Sequence, residues 1–163
     1  MTATDADWEK RVAGLWASFD EHEPADFRNA IRALAEERPA GDAVALFELA
    51  SSNDSTGCEA QAAPLYRRAL EAGLTGVRRR RAAIQLASTL RNLGQVEESI
   101  ALLRAERGRT TDELDDAVDA FLALALADGG QEREAIGLAL TALARHLPRY
   151  NRSLARYATR LNR

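Results

Sequence analysis

The sequence has little of what disulfide-rich, disordered or all-β proteins require. Its 163 residues include one cysteine, Cys58, with four prolines, ten glycines and 6% aromatic residues. A single cysteine cannot form an internal disulfide, so nothing in the chain calls for an oxidising compartment. The low proline and glycine content excludes a low-complexity chain, and the scarcity of aromatic residues argues against a sandwich or barrel.

Long apolar runs and targeting signals are also missing. The longest nearly apolar run, residues 120–127, is too short to span a bilayer. The N-terminal sequence MTATDADWEK has neither the basic region nor the apolar region of a signal peptide. We therefore expect a cytoplasmic protein without a membrane segment.

Residue patterns typical of catalysis are sparse. The two histidines, His22 and His146, lie near opposite ends of the chain, and Lys10 is the single lysine. The sequence contains no His-Glu-x-x-His, Gly-x-Ser-x-Gly or Walker-type motif, and the acidic residues around His22 have no second histidine or cysteine nearby. The sequence thus predicts a protein that is not an enzyme, with no catalytic residues, no metal and no cofactor.

Alanine and leucine dominate what is present, with 33 and 22 residues, and this composition favours helix. The net charge of −3 is unevenly spread. Residues 1–60 carry 13 acidic against 5 basic side chains, whereas residues 145–163 carry six arginines and no acidic residue. The two ends of the chain therefore have opposite charge.

Apolar residues recur with helical spacing almost everywhere. An aromatic stripe on a helix over residues 5–22 is followed by a second helix that starts near Pro24. Period-two alternation of β-branched residues is absent, so no strand is predicted. Further amphipathic segments lie at about 42–54, 58–72, 77–92, 95–106, 112–127, 131–146 and 149–162.

Three segments of the chain superpose when they are aligned on Gly57, Gly94 and Gly130. Each glycine follows one predicted helix and precedes another, and small residues recur at matching positions of both helices. Small residues allow close helix packing, and a turn glycine adopts a positive φ at little cost. The matching small residues are Ala50, Ala87 and Ala123 before the glycine, and Ala62, Ser99 and Ala135 after it.

The repeats predict an all-α solenoid of about nine helices in antiparallel pairs, because each pair leaves an apolar face that the next pair must cover. We expect a single domain over residues 1–163. It would consist of an N-terminal helical pair at 5–38, three repeats at 42–74, 77–109 and 112–147, and a capping helix at 149–162.

This pattern resembles the tetratricopeptide repeat, whose Ala-x-x-x-Tyr-x-x-Ala-Leu feature appears here as Ala62, Tyr66, Ala69 and Leu70. The chain departs from that pattern where Leu46, Ala83 and Asp119 replace the aromatic residue of the first helix, and where Leu74 and Thr111 replace the terminal proline. The segments LFELASSNDSTG, LYRRALEAGL, IQLASTLRNLG and FLALALADGG are similar to a small bacterial subfamily of the repeat. The resemblance implies an α-α superhelix that acts as an interaction module and dimerises.

In the fold that the resemblance implies, the first helix of each pair lines a concave groove. An arginine among amide and hydroxyl groups suits a carboxylate, so the expected ligand is a peptide or protein segment with acidic character. A solvated helix face with local ion pairs is the alternative. The groove residues are Phe47, Ser51, Asp54, Arg81, Ile84, Gln85, Ser88, Arg91, Asn92, Ala120, Leu124 and Asp128.

Two terminal surfaces offer other functions. The N-terminal aromatic stripe either covers the end of the array or forms a homodimeric scaffold with a second copy. The C-terminal arginine stripe either faces water on a capping helix or binds an acidic surface. That surface is an acidic protein, the acidic N-terminal region of the same chain or of a second copy in a homodimer, or, as the third hypothesis for the function, nucleic acid. The run of four arginines at 78–81 is a solvent-exposed first helical turn or a phosphate-binding patch. The stripes comprise Trp8, Val12, Leu15, Trp16 and Phe19, and Arg149, Arg152, Arg156, Arg160 and Arg163.

Overall fold

A computed structural model describes residues 3–109 and 111–161. These residues form nine α-helices and a short 3-10 turn at Phe19–Glu21, and they contain no β-strand. The all-α prediction is therefore confirmed. The helices are α1 (Ala3–Ala17), α2 (Pro24–Glu36), α3 (Ala43–Asp54), α4 (Glu59–Glu71), α5 (Gly76–Asn92), α6 (Val96–Arg107), α7 (Asp115–Asp128), α8 (Glu132–His146) and α9 (Asn151–Thr159).

The chain divides into two compact units. The first ends at Ala82 and the second begins at Ala83, so the division falls within α5. In the first unit α1 packs on α2, α2 on α3, and α3 on α4. In the second unit α6 packs on α7, α7 on α8, and α8 on α9. The assignment of one domain to the whole chain stays a prediction.

The core of the first unit includes the aromatic stripe of α1. Trp8 and Val12 are each only 3% exposed and cluster with Leu34 of α2. The Trp8 indole Nε1 donates a hydrogen bond to the Leu34 carbonyl oxygen at 2.7 Å. Phe27 is fully buried, and the Trp16 and Phe19 rings meet it edge-on at centroid distances of 4.9 and 4.8 Å. The stripe therefore covers α2 of its own chain.

Small residues let the paired helices approach closely, as the repeats predict. In the second unit the Ser99 hydroxyl donates a 2.7 Å hydrogen bond to the backbone carbonyl of Ala87 on the neighbouring helix, a contact that a larger side chain would prevent. Leu103, Leu122 and Leu126 fill the core beside this contact. The matching residues of all three pairs are buried: Ala50 and Ala62, Ala87 and Ser99, Ala123 and Ala135.

Two predicted helices at the chain ends are shorter than expected. The first stops at Ala17 instead of residue 22, where Ser18 donates from both its hydroxyl and its backbone N–H to the Gly14 and Leu15 carbonyls. The last begins at Asn151 because Tyr150 adopts a left-handed φ of 65°. Arg149 therefore precedes α9, and Arg163 lies outside the described residues.

The turn glycines allow a direct test of the repeat assignment. Gly94 has a φ of 77°, and a Cβ placed there would meet no atom within 4 Å. We expect Gly94→Ala to lower the free energy of unfolding by about 1 kcal/mol, because only the left-handed backbone penalises the new side chain. Gly108→Ala is the matched control, since φ is −84° there and the nearest atom lies at 3.9 Å. Urea denaturation of both variants provides the comparison, and equal effects would contradict the role of Gly94.

Candidate functional site

Three helices of the first unit enclose a cleft of about 370 Å³, which we call the α1–α3–α5 cleft. Residues from α1 form one wall, and α3 and the first turns of α5 provide charged groups opposite it. All of these elements belong to the first unit. The lining residues are Glu9, Val12, Ala13, Trp16, Glu48, Arg78 and Arg81.

Arg78 is held by carboxylates from two different helices. Its Nη1 and Nη2 donate to the two carboxylate oxygens of Glu9 at 2.9 and 2.5 Å, and its Nε donates to Glu48 at 3.3 Å. The bidentate geometry with Glu9 uses both ends of the planar guanidinium. Hydrogen bonding to Glu9 raises the pKa of Arg78 further above its ordinary value. Arg78 is thus fully engaged in joining α1 and α3 to α5.

The Glu48 carboxylate is almost completely buried from solvent. Its residue is only 4% exposed, and its second oxygen accepts a 2.8 Å hydrogen bond from the Trp16 indole Nε1. Burial raises the pKa of Glu48 above its usual value, while the bond from Trp16 and the charges of Arg78 and Arg81 oppose that rise. The carboxylate orients the Trp16 ring and compensates the arginines of the α5 first turn.

Arg81 differs from Arg78 because its side chain is open to solvent. The guanidinium carbon lies 5.3 Å from the centre of the Phe47 ring, a cation–π distance. Phe47 itself is only 1% exposed, so its ring packs under the Arg81 side chain. The prediction that Phe47 contacts a ligand is therefore wrong. Arg81 therefore lines the cleft with a solvent-exposed side chain.

Ser51 and Asp54 contact a buried tyrosine within the first repeat. The buried Tyr66 hydroxyl lies 3.4 Å from the Ser51 hydroxyl and donates to the Asp54 carboxylate at 3.2 Å. Burial, together with the charge of Asp54, raises the pKa of Tyr66 well above its usual range. Because Ser51 is only 1% exposed, it does not face the groove, and its prediction as a ligand-binding residue is wrong.

The remaining predicted groove residues belong to the second unit. Ile84 is 6% exposed and packs in the core, so it cannot face a ligand. Arg91 has its Nε 2.6 Å from a carboxylate oxygen of Asp128, a local ion pair of the kind that the alternative reading anticipates. Leu124 and Asn92 are exposed. Gln85 and Ser88 are half-buried, and within the described chain nothing donates to the buried Gln85 side-chain oxygen.

The structure corrects part of the predicted N-terminal aromatic surface and leaves the C-terminal arginine surface as predicted. Trp8 and Val12 are buried inside the first unit, which removes them as contacts for a second copy, whereas Leu15, Trp16 and Phe19 stay half-buried. The arginines at 149, 152, 156 and 160 are all exposed, so their role in binding stays a prediction.

The arginine run at 78–81 is not the exposed turn that the sequence predicts. Arg78 is half-buried and paired, and Arg80 is only 2% exposed. Of the four arginines in the run, Arg81 alone is exposed to solvent. The unfavourable placement of cations at the start of α5 is offset by Glu9 and Glu48.

Glu9 and Glu48, the two residues that organise the cleft, are not among the site residues predicted from the sequence. A signal existed for Glu48, because it interrupts the apolar segment between Phe47 and Leu49 at the centre of α3. A charged residue at such a position is paired when the segment is buried. Glu9 carries no comparable signal, since its partner Arg78 lies far away in the sequence.

The described residues contain neither a metal-binding cluster nor a membrane-spanning helix. In residues 3–109 and 111–161, no group of three histidine, cysteine or acidic residues is placed to hold a metal ion. None of the helices in these ranges is long and apolar enough to cross a membrane.

Comparison with known proteins identifies the family. Neither the curated proteins nor the solved structures contain a significant match to the chain. The family model described as tetratrico peptide repeat matches residues 43–161, which includes α3 to α9 and most of the chain. The chain therefore belongs to the tetratricopeptide repeat family.

Proposed function

We propose that this chain binds an acidic peptide segment of a protein partner at the α1–α3–α5 cleft, with Arg81 as the carboxylate-binding residue. Tetratricopeptide repeat proteins are generally protein–protein interaction modules and non-catalytic scaffolds. This general role supports a protein partner for the chain, and the exposed Arg81 in the cleft supports an acidic ligand. The proposal keeps Arg81 from the predicted groove and leaves out the buried Phe47, Ser51 and Ile84.

The observation that carries this proposal is the contrast between two neighbouring arginines. Arg78 donates its hydrogen bonds to Glu9 and Glu48, whereas Arg81 is exposed and its guanidinium packs on the Phe47 ring. An aromatic support limits the motion of the guanidinium, and the planar fork of an exposed arginine suits a carboxylate ligand. The half-buried Trp16 lines the same cleft and offers apolar contact beside the charge.

We expect Arg81→Ala to weaken peptide binding about 10-fold or more, because a charge-assisted hydrogen bond contributes about 1.5–3 kcal/mol. The probe is a library of acidic peptides with free C-terminal carboxylates, screened on the wild-type chain. Affinities of the selected peptides are then measured for each variant by fluorescence anisotropy. Arg81→Lys keeps the charge without the fork, so we expect an intermediate loss.

The matched control is Arg68→Ala, which removes an exposed arginine of the same unit from α4, outside the cleft. This variant should bind the selected peptides as the wild type does. Amidated twins of the peptides show whether the terminal or a side-chain carboxylate is bound. If Arg81→Ala binds the selected peptides as tightly as the wild type, the assignment of Arg81 is wrong.

A further inference from the structure

The helix α9 and the turn before it carry a cluster of exposed arginines, which we call the α9 basic surface. Its members lie in a segment, residues 145–163, that contains no acidic residue. In residues 3–109 and 111–161, no carboxylate pairs with any of these guanidinium groups. The α9 basic surface consists of Arg149, Arg152, Arg156 and Arg160.

Basic residues on the neighbouring helices of the second unit are neutralised by carboxylates of their own chain. Arg104 of α6 pairs with Glu134 at 2.9 Å. At the end of α8, Arg145 and His146 share the Asp116 carboxylate. The positive charge of the α9 basic surface has no such compensation within the described chain, so it remains available to a ligand of opposite charge.

Three of the arginines have the spacing of a contact to a phosphate backbone. Arg152, Arg156 and Arg160 are four residues apart, so each step advances about 6 Å along the helix and turns by about 40°. They therefore form a row on one face of the helix. Successive phosphates of an extended single strand have a similar separation, and a positively charged row that follows the backbone is a common way to bind one. Each guanidinium can bind a phosphate through two parallel hydrogen bonds.

Tyr157 positions two arginines of this row. The guanidinium carbons of Arg156 and Arg160 lie 5.4 and 5.8 Å from the centre of its ring, which are cation–π distances. Contact with one ring limits the motion of both side chains. The entropy that a ligand would lose by ordering them is therefore smaller.

A shallow groove of about 230 Å³ adjoins the row. It is lined by α8 and α9, and Arg152 is one of its lining residues. Thr141 and Asn151 add a hydroxyl and a side-chain amide to the lining. Threonine and asparagine side chains commonly hydrogen-bond the phosphate and sugar groups of nucleic acids. The row of arginines is thus continuous with a polar groove of the same unit.

Tyr150 places an aromatic ring in solvent between Arg149 and the row. The residue is 79% exposed, and its φ is 65°. This left-handed conformation is unfavourable for a bulky residue, whereas asparagine adopts it more easily. Backbone strain of this kind clusters at functional sites. An exposed ring beside guanidinium groups is the type of platform on which the bases of a single strand stack.

We propose that the α9 basic surface binds single-stranded nucleic acid, with the arginines on successive phosphates and a base stacked on the Tyr150 ring. The unpaired positive charge is complementary to a phosphate backbone, and the exposed ring offers a contact that only an unstacked base can use. A duplex hides the faces of its bases and would leave this ring unused. The site involves residues of the second unit alone and does not depend on the α1–α3–α5 cleft.

An anionic membrane is a poorer match to the same surface. Helices that bind membranes electrostatically also insert an apolar face among the lipids. In α9 the apolar side chains pack within the second unit, since Ala158 is fully buried and Leu154 is half-buried. The exposed part of α9 therefore offers charge and tyrosine rings but no aliphatic face to insert.

The first test measures the salt dependence of binding to a fluorescein-labelled oligouridylate of about twelve nucleotides, within the usual site size of such surfaces. Fluorescence anisotropy gives the association constant at each salt concentration. For three phosphate contacts its logarithm should fall by about 2 per tenfold rise in salt, since each contact on a single strand contributes about 0.7. Arg156→Ala should lower this slope by about 0.7. Arg133→Ala is the matched control, because it removes an exposed arginine from the first turn of α8 and should keep the slope.

The second test separates the ring of Tyr150 from its backbone. Tyr150→Asn removes the ring but accepts the left-handed φ, so thermal stability, followed by circular dichroism, should be equal to that of the wild type or higher. Affinity for the oligouridylate should fall about 5-fold or more, the loss expected for one base stacked on an aromatic ring. Tyr150→Phe keeps the ring and should bind as the wild type does. Equal affinity of Tyr150→Asn and the wild type would show that no base stacks on this residue.

Three results would overturn the proposal. The first is no binding of the oligouridylate at low salt. The second is equal affinity for a duplex of the same length or for inorganic polyphosphate of the same charge, because the surface would then recognise charge alone. The third is tighter binding of polyglutamate or of phosphatidylserine vesicles than of the oligouridylate, which would assign the surface to an acidic protein or to a membrane.

Discussion

Replacing Trp8 with alanine is expected to lower the free energy of unfolding of the first unit by about 3–5 kcal/mol, the usual range for a buried large aromatic residue. The indole is 3% exposed, packs with Val12 and Leu34, and donates to the Leu34 carbonyl. The Arg38 guanidinium carbon also lies 5.2 Å from the Trp8 ring centre. Urea denaturation followed by far-ultraviolet circular dichroism gives the stability difference.

Trp8→Phe separates the packing of Trp8 from its hydrogen bond. Phenylalanine keeps most of the ring but leaves the Leu34 carbonyl without its donor, so we expect a loss of about 1–2 kcal/mol. Native-state amide exchange should show α1 losing protection in Trp8→Ala while α7 and α8 keep theirs. A loss below about 1 kcal/mol for Trp8→Ala would mean that α1 does not depend on this residue.

Glu48→Ala is expected to lower the free energy of unfolding by about 3 kcal/mol. The substitution leaves the Trp16 indole and one Arg78 donor without an acceptor, and breaking a buried ion pair costs several kcal/mol. The loss stays at the lower end because Arg78 is 29% exposed and keeps Glu9. Glu9→Ala is the matched control and should cost about 1 kcal/mol, since Glu9 is 32% exposed.

The pH dependence of stability provides an independent measure of the Glu48 environment. Burial raises the folded-state pKa of Glu48 above the ordinary 4.5, so the folded chain binds this proton more tightly than the unfolded chain. The stabilisation from protonation is complete below pH 4.5 and is lost as the pH rises through the folded pKa. Glu48→Gln cannot titrate, so its stability should fall less than that of the wild type over this window. Parallel curves for the two proteins would contradict the raised pKa.

The sequence predicted the repeat architecture because that architecture is local. Gly94 and the buried pair Ala87 and Ser99 follow from spacing within a few tens of residues, and the structure places them as expected. The end of α1 was harder to predict, since Ser18 stops the helix through hydrogen bonds to carbonyls that the apolar pattern does not reveal. The left-handed Tyr150 likewise leaves no signal in the amphipathic pattern.

The cleft could be predicted only in part. The exposure of Arg81 agrees with its assignment to the groove, but Phe47 and Ile84 proved to be buried. Successive residues of an α-helix are rotated by about 100° about the helix axis. A small error in the predicted orientation of a helix therefore exchanges groove and core positions. The pairing of Arg78 with Glu9 joins residues distant in sequence, and a single sequence does not encode such pairs in its periodicity.

The part of the chain that matches the family begins at residue 43, but the cleft does not. Both the Glu9 carboxylate and the Trp16 indole come from α1, upstream of that limit. A fragment trimmed to residues 43–161 would therefore expose the buried Glu48 and release Arg78 from its bidentate partner. Domain grafts and minimal versions of this protein should retain the first 42 residues, because the limit of the repeat pattern is not the limit of the cleft.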